Sequence, residues 1–99
     1  MQPPGSALPV AELDKALRQG ARILRVVVVE MQPATDCRVY LLLADQVGWQ
    51  PIADRRGRFI REWAQPQRLL AFLRSRTSAE ICFHPAWSDT LAREGIQAR

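Results

Sequence analysis

The residues with the most chemistry to offer are arginines. Arg55, Arg56, Arg58 and Arg61 surround Gly57 in "DRRGRFIREW" (54–63), and Arg68, Arg74 and Arg76 follow closely. A guanidinium is a planar fork of donors that matches phosphate and carboxylate in a bidentate way. The pattern therefore suits a polyanion. Trp49, Phe59 and Trp63 flank the same stretch and could stack on exposed bases. The competing reading is a solvated hairpin turn, or a basic face that docks an acidic protein. No aromatic ribonucleoprotein pattern, KH glycine loop or helix-turn-helix spacing accompanies the arginines, and the second reading is preferred.

A second set of reactive types is Cys37, Cys82 and His84. Cys82 and His84 are two apart on one expected strand and share a side of it. With Cys37 they could converge as metal ligands or as a thiol–imidazole pair. No close cysteine pair of the C-x-x-C kind supports zinc, and no phosphate-cradling glycine loop is present. The carboxylates Asp45, Asp54, Glu62 and Asp89 are scattered over turns and element ends. The expectation is no metal, no cofactor and no catalytic set: the protein is not an enzyme.

The charge distribution reinforces the first cluster. The 99 residues carry a formal charge of +4, yet residues 55–76 hold seven arginines and one acid. Basic and acidic groups number five and six in 1–54, and two and three in 77–99. The whole excess thus lies in one segment, which bears on partners rather than on fold. Thirteen of the fourteen basic residues are arginine, a bias that fits a GC-rich bacterial genome. The start, "MQPPGSALPVAEL", has neither a basic n-region nor an apolar h-region. No apolar run approaches the roughly 18 residues of a span. Two cysteines suit a reducing compartment, and the expectation is a cytoplasmic protein with no membrane contact.

These side chains must be positioned by one domain, since about 100 residues and 47 % hydrophobic content provide a single core. Residues 1–8 read as a flexible arm, and 9–99 as the domain. "PVAELDKALRQG" is an amphipathic helix with Val10, Leu13 and Leu17 on one face and Gly20 as its stop. "RILRVVVVEM" and "CRVYLLLAD" are β-branched or apolar strands joined by the turn "QPATD". "VGWQPIAD" and "RFIREW" then flank Arg55-Arg56-Gly57 as a shorter hairpin, with Pro51 marking an edge or bulge. Phe59 or Ile60 is expected to reach the core. Pro66 opens a helix with Leu69, Leu70, Phe72 and Leu73 on its core stripe. "SAEICFH" alternates as a half-buried strand. Pro85 opens a last helix that Gly95 ends, with Ile96 supplying an apolar contact. Trp63 and Trp87 read as core anchors, and Trp49 as even between core and surface.

The sum is an α+β fold of order α-β-β-β-β-α-β-α. Its sheet is mainly antiparallel, with four or five strands and helices packed on one face. "VYLLLAD", "W-x-P-I-A-D-x-R-G-R" and "ICFHPAWSDTL" together resemble a family of small uncharacterised proteins of Pseudomonas-type bacteria. The resemblance spans residues 10 to 94 and implies a compact α+β domain, with no catalytic residue to transfer. The leading functional expectation is a binding or regulatory domain acting through a protein partner or as a homodimer. The surface for self-association would be the two apolar strands, if three short helices leave them partly uncovered. The alternative is a nucleic-acid-binding accessory protein using residues 55–76, with Arg55, Arg56, Arg58, Arg61, Arg68, Arg74 and Trp49 as the contact set.

Overall fold

The computed structural model describes residues 7–31 and 36–96. Seven elements follow in the order α1 (Val10–Arg18), β1 (Ile23–Glu30), β2 (Cys37–Leu43), β3 (Trp49–Pro51), α2 (Pro66–Arg74), β4 (Ile81–Pro85) and α3 (Asp89–Glu94). The strands form one sheet of order β3-β2-β1-β4. β1 pairs antiparallel with β2, and β2 with β3, whereas β1 and β4 run parallel. The sheet is therefore mixed, not mainly antiparallel, and has four strands. The cause is topological: α2 carries the chain across a sheet face and delivers β4 beside β1 in the same direction.

The helices also divide between the faces. Leu13 of α1 and Leu69 and Leu73 of α2 join Val26, Val28, Val39, Leu41, Ile52 and Trp63 in one cluster. On the opposite face, Val27, Val29 and Tyr40 pack with Leu91 of α3 and Ile96. The expectation of helices on one face alone is thus corrected. Val26 to Val29 are all buried because both faces of β1 are covered, which explains their unbroken apolar run. The covering removes the apolar hairpin as a surface for self-association. Each fully buried leucine of α2 contributes about 1.5–3 kcal/mol by leaving water.

Three sequence expectations fail locally. "RFIREW" forms no strand among the described residues; it makes only isolated bridges, Ala53 with Ile60 and Cys37 with Trp63. Pro85 ends β4 instead of opening a helix, and Ser88 caps α3 by accepting from the Thr90 N–H at 3.2 Å. Trp87 consequently sits in the connecting turn and is 75 % exposed, not a core anchor. Gly95 takes φ 85° at the end of α3, and the Ile96 N–H bonds the Leu91 carbonyl, as a glycine stop requires. Pro51 lies on an edge strand, as expected. The turn "QPATD" falls on residues that lie, apart from Asp36, outside those described. The arm over 1–8 does so too, apart from Ala7 and Leu8, and Leu8 is bridged to Ile52 beside β3.

Candidate functional site

The arginine turn is built by Asp54 and Gly57. The Asp54 N–H donates to the Phe59 carbonyl at 2.7 Å, closing the loop, and the Gly57 N–H donates to the Asp54 carbonyl. Gly57 adopts φ 71°, a conformation natural to glycine. The Asp54 carboxylate accepts from the N–H groups of Arg58 at 3.0 Å and Phe59 at 3.4 Å. Partial burial pushes its pKa up, but the N–H groups of Arg58, Phe59, Gly57 and Arg56 together hold it below the ordinary value. Arg55, Arg56 and Arg58 are exposed on this turn, and so is Phe59, at 71 %. Ile60 is half-buried but joins neither core cluster, so neither of the two residues expected to reach the core does so.

Arg61 has a different setting. Its N–H donates to the Ile52 carbonyl, which fixes the main chain beside β3. Its guanidinium lies over Trp63, 4.3 Å from the ring centroid, and 5.5 Å from that of Phe72. Arg76 sits over the same Phe72 ring at 4.0 Å. Burial, and then the charges of Arg55 and Arg76, depress the pKa of Arg61, although it stays a cation. Attraction to ring faces holds it in place but supplies no counter-charge.

The neighbouring acids are committed elsewhere. Glu62 pairs with Arg38 at 2.8 Å, Asp14 pairs with Arg76 at 2.8 Å, and Asp54 serves its own turn. Among the described residues, none of Arg55, Arg56, Arg58, Arg61, Arg68 and Arg74 has a carboxylate within 4.0 Å. Asp54, Arg55, Ile60, Arg61 and Glu62 line an open hollow of about 330 Å³.

The structure therefore brings Arg55 close to Arg61 and adds Arg76 through the shared Phe72, with Arg56 and Arg58 exposed on the same turn. Arg68 stands one turn before Phe72 on the same side of α2, whereas Arg74, two residues after it, points about 200° away. Trp49 does not join this group. It packs in the α3-side cluster, half-buried, with the Arg25 guanidinium 5.5 Å from its ring. Trp63 is buried as well. The stacking trio expected from sequence thus reduces to Phe59. Sequence reading missed Phe72 as the plate beneath two arginines; its four-residue spacing from Arg76 on a helix was the available signal.

The cysteines and the histidine do not converge. Cys37 is buried in the cluster beneath α1 and α2. Cys82 and His84 pair in register with Val27 and Val29, whose side chains face α3. Burial, with Glu30 and Asp36 nearby, pushes the Cys37 thiol up. Burial and its bond to Glu80 do the same for Cys82. Both are thus held as thiols rather than reactive thiolates. Among the described residues no three His, Cys, Asp or Glu side chains form a metal-sized group, and no helix is long and apolar enough to cross a membrane. No protein-family model, curated protein or solved structure matches the chain, so nothing in those comparisons bears on the resemblance of residues 10–94.

Proposed function

We propose that the chain is a non-enzymatic binding domain that engages an acidic protein surface through the 54–61 turn and the adjacent side of α2. The observation that carries this reading is the set of arginines left without carboxylate partners around Arg61, which is itself pre-positioned on Trp63 and Phe72. A pre-positioned cation loses little side-chain freedom on binding, so its pairing is more effective than that of a free surface arginine. The hollow favours a protein over a uniform polyphosphate, because Asp54 and Glu62 line it together with Arg55 and Arg61. Mixed charge matches a mixed-charge partner and repels a dense run of phosphates. Two cysteines on opposite faces of the sheet, not joined to each other, suit a bacterial cytoplasm.

Nucleic-acid binding is the second reading, supported by Phe59 standing exposed among Arg55, Arg56 and Arg58. The two separate in one titration series by fluorescence anisotropy. A labelled Glu/Asp-rich peptide, a single-stranded RNA and a duplex DNA are each added at about 50 and about 200 mM salt. The peptide is expected to bind most tightly, and to lose at least about tenfold in affinity when Arg55, Arg58 and Arg61 are all replaced by alanine. Tighter binding of RNA or DNA, equally sensitive to the triple replacement, selects the second reading. Absence of binding to all three at the lower salt refutes both.

A further inference from the structure

The two edges of the sheet are treated very differently by the chain. Beside β3, the Leu8 N–H donates to the Pro51 carbonyl at 2.8 Å, the Ala53 N–H donates to Leu8, and Arg61 bonds Ile52. That edge is covered at its Pro51 end. Among the described residues, β4, at the other end of the sheet, has β1 on one side only, and none of its five residues is buried. Phe83 is 44 % exposed on it.

The direction of its unpaired groups follows from the register. The Ala86 N–H donates to the Glu30 carbonyl, and Glu30 is the register partner of Pro85. Residues alternate along a strand, so 82, 84 and 86 aim their N–H and C=O at β1. Ile81, Phe83 and Pro85 aim theirs outward. Pro85 lacks only a donor that would have faced away from the sheet, which is where proline is tolerated. An open row of main-chain donors and acceptors is a template for another strand.

We propose that β4 is the contact edge of a homodimer, in which two copies pair antiparallel about a two-fold axis at Cys82 and join their sheets. The proposal does not depend on the reading of the arginine face. The edge is self-complementary in this register. Ile81 and Phe83′ form reciprocal hydrogen-bonded pairs on both sides of the axis, matching apolar to apolar on the face of α1 and α2. On the α3 face, Glu80 meets His84′ twice, matching an acid to the single imidazole. Both Glu80–His84′ and Cys82–Cys82′ are non-hydrogen-bonded pairs, in which side chains approach most closely. The alternative centre, at Phe83, keeps apolar pairs, Phe83 with Phe83′ and Ile81 with Pro85′, but places Glu80 against Ala86′ and Cys82 against His84′, so the acid–imidazole match is lost. A strand this short makes a small interface, so the dimer is expected at the weak, exchanging end of the range.

Two readouts test it on the whole protein. Sedimentation equilibrium up to about 1 mM should show a species of twice 11.2 kDa that dissociates on dilution. Phe83→Lys, a change at an exposed position, should remain monomeric with an unchanged circular dichroism spectrum. If that variant does not fold, Glu80→Lys, which faces a lysine to His84′, replaces it. In the second readout diamide is added. The two Cys82 thiols join as a disulfide while the reagent takes up both hydrogens. A Cα separation of about 4.5 Å at such a pair lies within the disulfide range. A Cys82-linked dimer should form in the wild-type protein at least tenfold faster than in Phe83→Lys, and not at all in Cys82→Ser. A monomer at every concentration, a dimer indifferent to the edge variants, or a cross-linking rate equal in wild type and Phe83→Lys would each overturn the proposal.

Discussion

The polar contact between α1 and the end of α2 is made by one side chain, Arg76, and its energetics can be apportioned. Arg76 Nε donates to Asp14 Oδ1 at 2.8 Å and Nη2 to Oδ2 at 3.2 Å, a bidentate pair. Nη1 donates to the Phe72 carbonyl and to Ser75 Oγ, and the guanidinium lies on the Phe72 ring. The pair is partly exposed, at 21 % and 33 % for the two side chains, so solvent screening reduces it to about 1 kcal/mol. Asp14→Ala alone will understate this, because alanine is the better helix former by roughly half a kcal/mol. Arg76→Ala loses the pair, the ring contact and the carbonyl bond, about 2–3 kcal/mol together. Urea denaturation of both single variants and the double variant isolates the coupling, which should be about 1 kcal/mol. The hydrogen bond from Arg76 chiefly, opposed by slight burial, keeps the Asp14 pKa below its ordinary 3.8. The stabilisation is therefore complete above about pH 4 and fades as pH falls through the lowered folded value. The stability difference between wild type and Asp14→Ala should shrink over that acid range. A coupling under about 0.3 kcal/mol, or an Arg76→Ala variant no less stable than Asp14→Ala, would refute the reasoning.

Two further outcomes can be checked by the same melts. Tyr40 is 2 % exposed, and its hydroxyl bonds no group among the described residues, although Arg38 lies near enough to oppose the stronger upward push of burial on its pKa. Tyr40→Phe should raise stability by about 1 kcal/mol, or roughly 4–8 °C in Tm; a loss of stability would mean that the hydroxyl is bonded in solution, with Arg38 the first group to replace. A Cβ at Gly57 would meet nothing within 4 Å, so Gly57→Ala should cost only the left-handed backbone, about 1 kcal/mol, and Gly57→Asn less. A stabilised alanine variant would mean that the turn relaxes to another conformation.

Sequence reading succeeded where local chemistry and burial point the same way. β1 and β2 read as strands from their unbroken valine and leucine runs, but whether helices or a partner covered their second face stayed open. α1, α2 and the Gly57 turn followed from apolar spacing, proline starts and glycine's freedom at positive φ. "RFIREW" misled because β-propensity says nothing about partners. Its main chain is used by three separate neighbours, Asp54, Ile52 and Cys37, rather than by one ladder. The parallel placement of β4 was not legible, since a short alternating strand is compatible with either direction. Trp87 misled for a related reason: its role depended on whether Pro85 ended a strand or began a helix. At the arginine site, composition located the charge, but only the fold could reveal that Asp54 and Glu62 are engaged elsewhere. The Arg61 cradle joins residues from the turn and α2 and has no linear signature.

The parallel pairing of β1 with β4 also sets an order for folding. Its partners, such as Val26 and Ile81, are about 55 residues apart, whereas Glu30 and Cys37 close the β1–β2 hairpin over a short loop. By loop-closure entropy the longer closure costs about 2 kcal/mol more. The hairpin should therefore nucleate, with β3 added next and β4 last. During synthesis the bare side of β1, rich in valine, stays without its neighbour until the chain is almost complete. A nascent chain stalled before Ile81 would present that valine edge to any other strand. The interval before β4 docks is when this protein is most prone to misassociate.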